Sequence, residues 1–133
     1  MVKSFQKIHV VAAVIYNAQH KILIAKRPAH KHQGGLWEFP GGKIQAGESQ
    51  LTALTRELAE ELDITVKHAE AFIQINHDYA ELSVCIDVWK VTRFLGEAQG
   101  KEGQEIIWID IPALSFYNFP AANKEIINSL IKA

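Results

Sequence analysis

The chain of 133 residues is nearly half hydrophobic, carries a formal net charge of −1 and contains one cysteine. That length and apolar content suit one globular domain over residues 1–133, with a core of useful size and little room for a second. The near-neutral charge argues against a nucleic-acid polymer as partner, the lone Cys85 excludes an internal disulfide, and no signal peptide or membrane-length apolar run is evident, so a soluble, cytoplasmic monomer is expected.

Ile8 to Tyr16 is a β-branched apolar run and Lys21 to Ala25 is another. The polar Asn17-Ala18-Gln19-His20 between them has hairpin length and predicts two strands paired through a short loop. Lys26-Arg27-Pro28 ends the second strand, and Arg27 taken alone reads as an edge charge. Ala29 to Gly35 reads as a loop whose His30 and His32 lack a third soft ligand and are better explained as solvated. Trp37-Glu38-Phe39 is a short strand, and Pro40-Gly41 fits the centre of a type II turn.

Acid is concentrated in the next stretch, Gly42 to Ile64. At helical spacing Glu57, Glu60 and Glu61 share one arc, while Leu51, Leu54, Leu58 and Leu62 share a neighbouring arc that can be buried. Ser49 suits the N-cap of a helix from about Gln50 to Leu62, and Asp63 stands at its C-terminal end, where glycine is easier to accommodate. Carboxylates held this close repel one another. Arg56 with solvent would offset that, and so would a hard divalent cation; oxygen donors without Cys or His suit magnesium or manganese rather than zinc.

Beyond Asp63 the sequence predicts a brief extended piece at Ile64-Thr65-Val66, a strand over Ala69 to His77 and a longer one over Leu82 to Phe94, the last two forming a hairpin through Asp78-Tyr79-Ala80-Glu81. Cys85 falls in an apolar run and reads as a buried thiol. Leu95 to Gln104, punctuated by Gly96, Gly100 and Gly103, reads as a loop; Glu105 to Ile109 follows as a short buried strand with Trp108 in the core. Phe116 to Ala133 predicts a closing helix with Pro120 in its first turn, Asn123 near its start as a cap, and Ile126, Ile127, Leu130 and Ile131 on its apolar face. Strands interspersed with two amphipathic helices indicate an α/β or α+β class.

Gly42, Glu48, Arg56, Glu57, Leu58, Glu60, Glu61 and Ile64 fall at the spacing of the Nudix box, with Asp63 in place of its last glycine, and the segment therefore resembles that family. The runs WEFPGGK (Trp37 to Lys43), GKEGQ (Gly100 to Gln104) and FPAAN (Phe119 to Asn123) are similar to the MutT branch of Nudix hydrolases in particular. The resemblance implies the Nudix fold, an α+β architecture in which a mixed β-sheet lies between helices as an α-β-α sandwich. It implies Mg²⁺, or Mn²⁺ in its place, held by Glu57, Glu60, Glu61, Glu102 and the carbonyl of Gly41. Arg56 would orient the neighbouring glutamates, and Glu57 would deprotonate or orient the attacking water.

On the same grounds Arg27 would reach the phosphates, Glu38 and Phe39 would line the base pocket, and Asn123 would read the edge of an oxidised guanine. The implied activity is hydrolysis of oxidised purine nucleotides such as 8-oxo-dGTP to the monophosphate and pyrophosphate, which removes mutagenic precursors before replication. Box residues serve the diphosphate common to many substrates, so dinucleoside polyphosphates and nucleotide sugars stay open at this level. A non-catalytic nucleotide sensor would be expected to lack box glutamates, and all are present.

Overall fold

The structure, a computed structural model, describes residues 6–28 and 34–132. The loop histidines His30 and His32 lie outside the described residues. In chain order the strands are β1 (Gln6–Ile15), β2 (Ile22–Lys26), β3 (Trp37–Glu38), β4 (Gly41–Lys43), β5 (Thr65–Tyr79), β6 (Leu82–Leu95) and β7 (Ile106–Ile109). Helix α1 (Gln50–Leu62) stands between β4 and β5, and α2 (Lys124–Lys132) follows two 3₁₀ turns, Ile111–Phe116 and Ala121–Asn123.

A mixed sheet in the order β4-β1-β6-β5 forms the centre, with β1 parallel to β6 and the outer pairs antiparallel. A smaller antiparallel sheet, β3-β2-β7, lies beside it. Alternation along β1 divides the core. Val11, Ala13 and Ile15 pack with Ala53, Leu54, Leu58 and Leu62 of α1, whereas Ala12 and Val14 pack with Ile126 and Leu130 of α2. Each fully buried leucine of α1 contributes roughly 2 kcal/mol of apolar transfer, and the expected layering of helix, sheet and helix results.

Several local expectations need correction. The first two strands do not form a hairpin: they share a single bridge, Tyr16 to Ile22, and then enter different sheets. The cause is local, because the Asn17 side chain accepts from Gln19 N at 3.0 Å and Lys21 N at 2.9 Å, His20 takes a left-handed conformation (φ 60°), and Tyr16 N donates instead to Val91 O on β6. Gly41 has no positive φ and lies within β4, so Pro40-Gly41 is not a type II turn. A Cβ on Gly41 would come within 1.9 Å of the Val11 carbonyl oxygen, and it is this approach to β1 that demands glycine.

Leu51 is exposed, and Ala53 takes its place in the buried stripe of α1; Ile131 is likewise exposed on α2. The closing helix begins only at Lys124, because Phe116 to Asn123 passes through an extended stretch and the second 3₁₀ turn, for which Pro120 is the N-cap. The two extended pieces foreseen after Asp63 merge into the single long β5, which bends through register shifts between Val66 and Ala69 and between Ala71 and Ile73. No helix among the described residues is long and apolar enough to cross a membrane.

The bounds of α1 are as the sequence predicts. Ser49 accepts from Thr52 N at 3.1 Å, and Asp63 closes the helix in the left-handed region (φ 59°, ψ 35°) with its N–H on Ala59 O. That conformation penalises a Cβ by about 1–2 kcal/mol, while glycine loosens the unfolded chain by about 0.4–1 kcal/mol. Asp63→Gly is therefore expected to raise the melting temperature by about 2 °C and Asp63→Val to lower it; identical melts for all three proteins would contradict this account of the helix end.

Candidate active site

The acidic site is assembled on α1 by one arginine. Arg56 donates from Nε and Nη2 to the two oxygens of Glu48 at 2.7 and 2.9 Å, from Nη1 to Glu57 Oε1 at 2.8 Å and Glu60 Oε2 at 3.4 Å, and from Nη2 to the Lys43 carbonyl at 3.1 Å. Glu48 also accepts from Gln45 N at 2.8 Å, and the Arg56 guanidinium together with that amide pulls its pKa down to about 2. Arg56 is thus satisfied by the box itself and is absent from the lining of the cleft, as expected of a residue that orients glutamates.

Strand β4 closes against this helix through its glycines. Gly41 N donates to Glu61 Oε2 at 3.2 Å, and a Cβ on Gly42 would stand 2.4 Å from the Glu57 carboxyl carbon. Glu61 is the most buried of the acids. Burial, then the neighbouring charges of Glu57, Glu38 and Glu102, push its pKa up to about 8 against the opposing Gly41 amide. Glu57 is also raised by burial, with Arg56 acting in the other direction. Glu60 is largely exposed at the rim.

The loop from Gly96 to Gln104 brings Glu102 to the same cleft by satisfying carbonyls at the end of α1. Gln99 N donates to Leu62 O at 2.9 Å, while Lys101 N at 3.0 Å and Gln104 Nε2 at 3.1 Å donate to Glu61 O. The Gln104 side chain also accepts from Glu102 N at 2.9 Å. Gln104 is therefore a positioning residue that the sequence reading passed over, although it ends the GKEGQ run. Lys26 and Lys43, also passed over, line the cleft with Arg27, Glu38, Gly41, Glu57, Glu60, Glu61 and Glu102.

A second, mainly apolar cavity adjoins the first. It shares Arg27, Glu38, Gly41 and Gly42 with the cleft and continues past Phe39, Tyr79, Val84 and Ile86 to Ala122 and Asn123. Arg27 and Glu38 form an ion pair at 2.6 Å on the boundary. Phe39 is buried against Phe119 in a stacked pair with ring centroids 5.4 Å apart, so it serves as wall. Tyr79, at the tip of the β5–β6 hairpin, accepts from Ala122 N through its phenol oxygen at 3.1 Å and so anchors the 3₁₀ turn that ends in Asn123. Asn123 is half-buried in the cavity lining.

A cleft lined by five glutamates, with neither Cys nor His among its described lining residues, fits a hard divalent cation. The raised pKa of Glu61 supports that fit, since a bound cation would offset both the burial and the neighbouring carboxylate charges that raise it.

Residues 11–129 match the family model described as NUDIX domain. The chain is 36% identical over 125 residues to an 8-oxo-dGTP diphosphatase of Escherichia coli K12, covering 94% of this chain and 97% of that protein. It is 43% identical over 101 residues to a CTP pyrophosphohydrolase of the same strain, covering 76% of this chain and 74% of that one. Among solved structures, one from work on MutT of Aliivibrio salmonicida and Vibrio cholerae superimposes with a TM-score of 0.83 at 45% identity, over 96% of this chain and 98% of its own.

The Glu61 pKa carries a pH signature. In the metal-free protein the folded state keeps this proton up to about pH 8, whereas an unfolded chain releases it near 4.5. The folded state binds more protons between these values, so stability falls as pH rises through the window and levels off above it. Thermal melts in chelator are expected to decline from the lower to the upper end, Glu61→Gln to flatten the decline, and added Mg²⁺ to restore stability at the alkaline end. An unchanged slope in Glu61→Gln would assign the effect to other groups.

Proposed function

This chain belongs to the Nudix hydrolase family, and on that premise we propose that it is a MutT-like nucleoside triphosphate pyrophosphohydrolase acting, as a single-domain monomer, on oxidised purine nucleotides of the 8-oxo-dGTP type. The observation that carries this reading is the junction of the two cavities: an acid cleft suited to a metal-bound polyphosphate opens across Gly41 and Gly42 into an apolar pocket suited to a base. Relatives bearing the name 8-oxo-dGTP diphosphatase support the choice of substrate.

Glu57, Glu60, Glu61 and Glu102, with the Gly41 carbonyl, would hold Mg²⁺ or Mn²⁺. When bound, the cation neutralises polyphosphate charge and lowers the pKa of a coordinated water. The chain supplies position and proton transfer. Arg56 holds Glu57 and Glu60 in fixed orientation, and Glu57, fastened through one oxygen, can turn the other toward the attacking water. Arg27, fixed against Glu38 at the mouth shared by both cavities, is set to meet phosphate oxygens without leaving its carboxylate partner. Asn123 offers one amide donor and one acceptor group, which suits a purine edge carrying both kinds of atom.

The CTP pyrophosphohydrolase relative favours a second reading, in which the pocket takes a pyrimidine. Catalytic efficiencies for 8-oxo-dGTP, dGTP and CTP in Mg²⁺ separate the two. The proposal expects the oxidised purine to lead by at least about tenfold, the discrimination a single well-placed polar contact supplies; a CTP preference would replace it.

Glu57→Gln preserves volume and the Arg56 contact, so it is expected to lower kcat by about 10²-fold or more with an unchanged melting temperature; near-normal turnover would remove Glu57 from its role. Asn123→Ala is expected to lower the 8-oxo-dGTP to dGTP efficiency ratio about tenfold, and an unchanged ratio would leave Asn123 a purely structural residue. Hydrolysis in heavy-oxygen water is expected to label pyrophosphate, from attack at the β-phosphorus; label in the monophosphate would contradict that course.

A further inference from the structure

A different cluster of ligating groups lies on the central sheet. The parallel register sets His9 on β1 opposite Cys85 on β6, with Asp87 two residues further along β6 and opposite Val11, so all three side chains share one face of the sheet. One ligating atom from each lies within 4.8 Å of the others. His9 Nε2 contacts Asp87 Oδ2, and Gln74 Nε2 donates to the second oxygen, Asp87 Oδ1, at 2.8 Å.

We propose that His9, Cys85 and Asp87 form a zinc-binding site independent of the carboxylate cleft. Sulfur, imidazole and carboxylate in one cluster is a donor set that selects Zn²⁺ over Mg²⁺. Ligand atoms around tetrahedral zinc stand roughly 3.3–3.8 Å apart, as follows from metal–ligand bonds of about 2.0–2.3 Å. Side-chain rotation on two strands already in register would bring the three atoms to that spacing, drawing the sulfur in and parting His9 from Asp87. Charge is balanced as well: a thiolate and a carboxylate neutralise the divalent ion, and the thiol proton leaves to solvent as the metal–sulfur bond forms.

Burial distinguishes this cluster from an ordinary surface pair. Asp87 is 5% exposed and is the only polar or charged residue among the buried described residues, so its charge calls for compensation. Gln74 supplies the outer hydrogen bond that typically orients a ligating carboxylate. The half-exposed His9 ring leaves a way in for the ion and room for a water as fourth ligand. The neighbouring residues Ile8, Val10, Val84 and Ile86 on the reverse face line the apolar pocket, and the ion would tie β1 to β6 directly behind that wall.

The test is titration of the metal-free protein with Co²⁺ as a spectroscopic stand-in for zinc, in excess Mg²⁺ to saturate the carboxylate cleft. The expected result is one equivalent of Co²⁺ with a sulfur-to-cobalt charge-transfer band that Zn²⁺ bleaches, together with a rise in melting temperature on adding Zn²⁺. Cys85→Ser is expected to abolish the band. His9→Ala is expected to weaken Co²⁺ affinity at least tenfold, read on a variant that melts as a folded protein. Absence of the band in the unaltered protein, or equal affinity in His9→Ala, would reduce the cluster to a histidine–aspartate pair beside a buried thiol.

Discussion

The close approach of the β4 glycines to α1 is the constraint on which the site depends. Gly41 lies against the Val11 carbonyl on one side and gives its N–H to Glu61 on the other, while Gly42 leaves room for the Glu57 carboxylate. Any side chain at Gly41 would separate β4 from β1, and one at Gly42 would displace Glu57. Sheet, helix and acid cleft are fixed by the same few ångströms of bare backbone. Because these two glycines also border the apolar cavity, they would set the distance between the phosphates and the base of a nucleotide bound as proposed.

Electrostatic order follows from that packing. Arg56 collects Glu48, Glu57 and Glu60 and neutralises only part of their charge, and Glu61 lies half-buried without a contact to it. The loop that delivers Glu102 is held by the last carbonyls of α1, groups that a helix end must satisfy in any case. A structural obligation of the helix thereby brings one more acid to the cleft. The remaining repulsion is what suits the cleft to a cation.

Local signals were legible where one residue type has one physical use. Ser49, Gln50 to Leu62 and Asp63 could be assigned to cap, helix and left-handed end because each position has a narrow repertoire. Pairing was less legible. Ile8 to Tyr16 is apolar on both faces, which marks it as central but names no neighbour, and the Asn17 turn mimics a hairpin while directing the chain into another sheet. Gly41 was misassigned because close approach and positive φ both select glycine, and sequence does not separate them. The spacing of Glu57, Glu60 and Glu61 brought out the acids, whereas Gln104 acts through a carbonyl 43 residues away and leaves no periodic trace.

The phenol–amide bond between Tyr79 and Ala122 divides the labour of the molecule. The groups proposed for hydrolysis belong to α1 and the loop locked to its end, while the segment carrying Asn123 is tied to the far tip of a long two-stranded arm. On the proposed reading, base choice and hydrolysis would rest on separate supports: a change that loosens the arm would disturb the pocket around Asn123 before it reached the acids of α1. A lineage could retune its choice of nucleotide at that hinge while the ancestral chemistry stayed untouched.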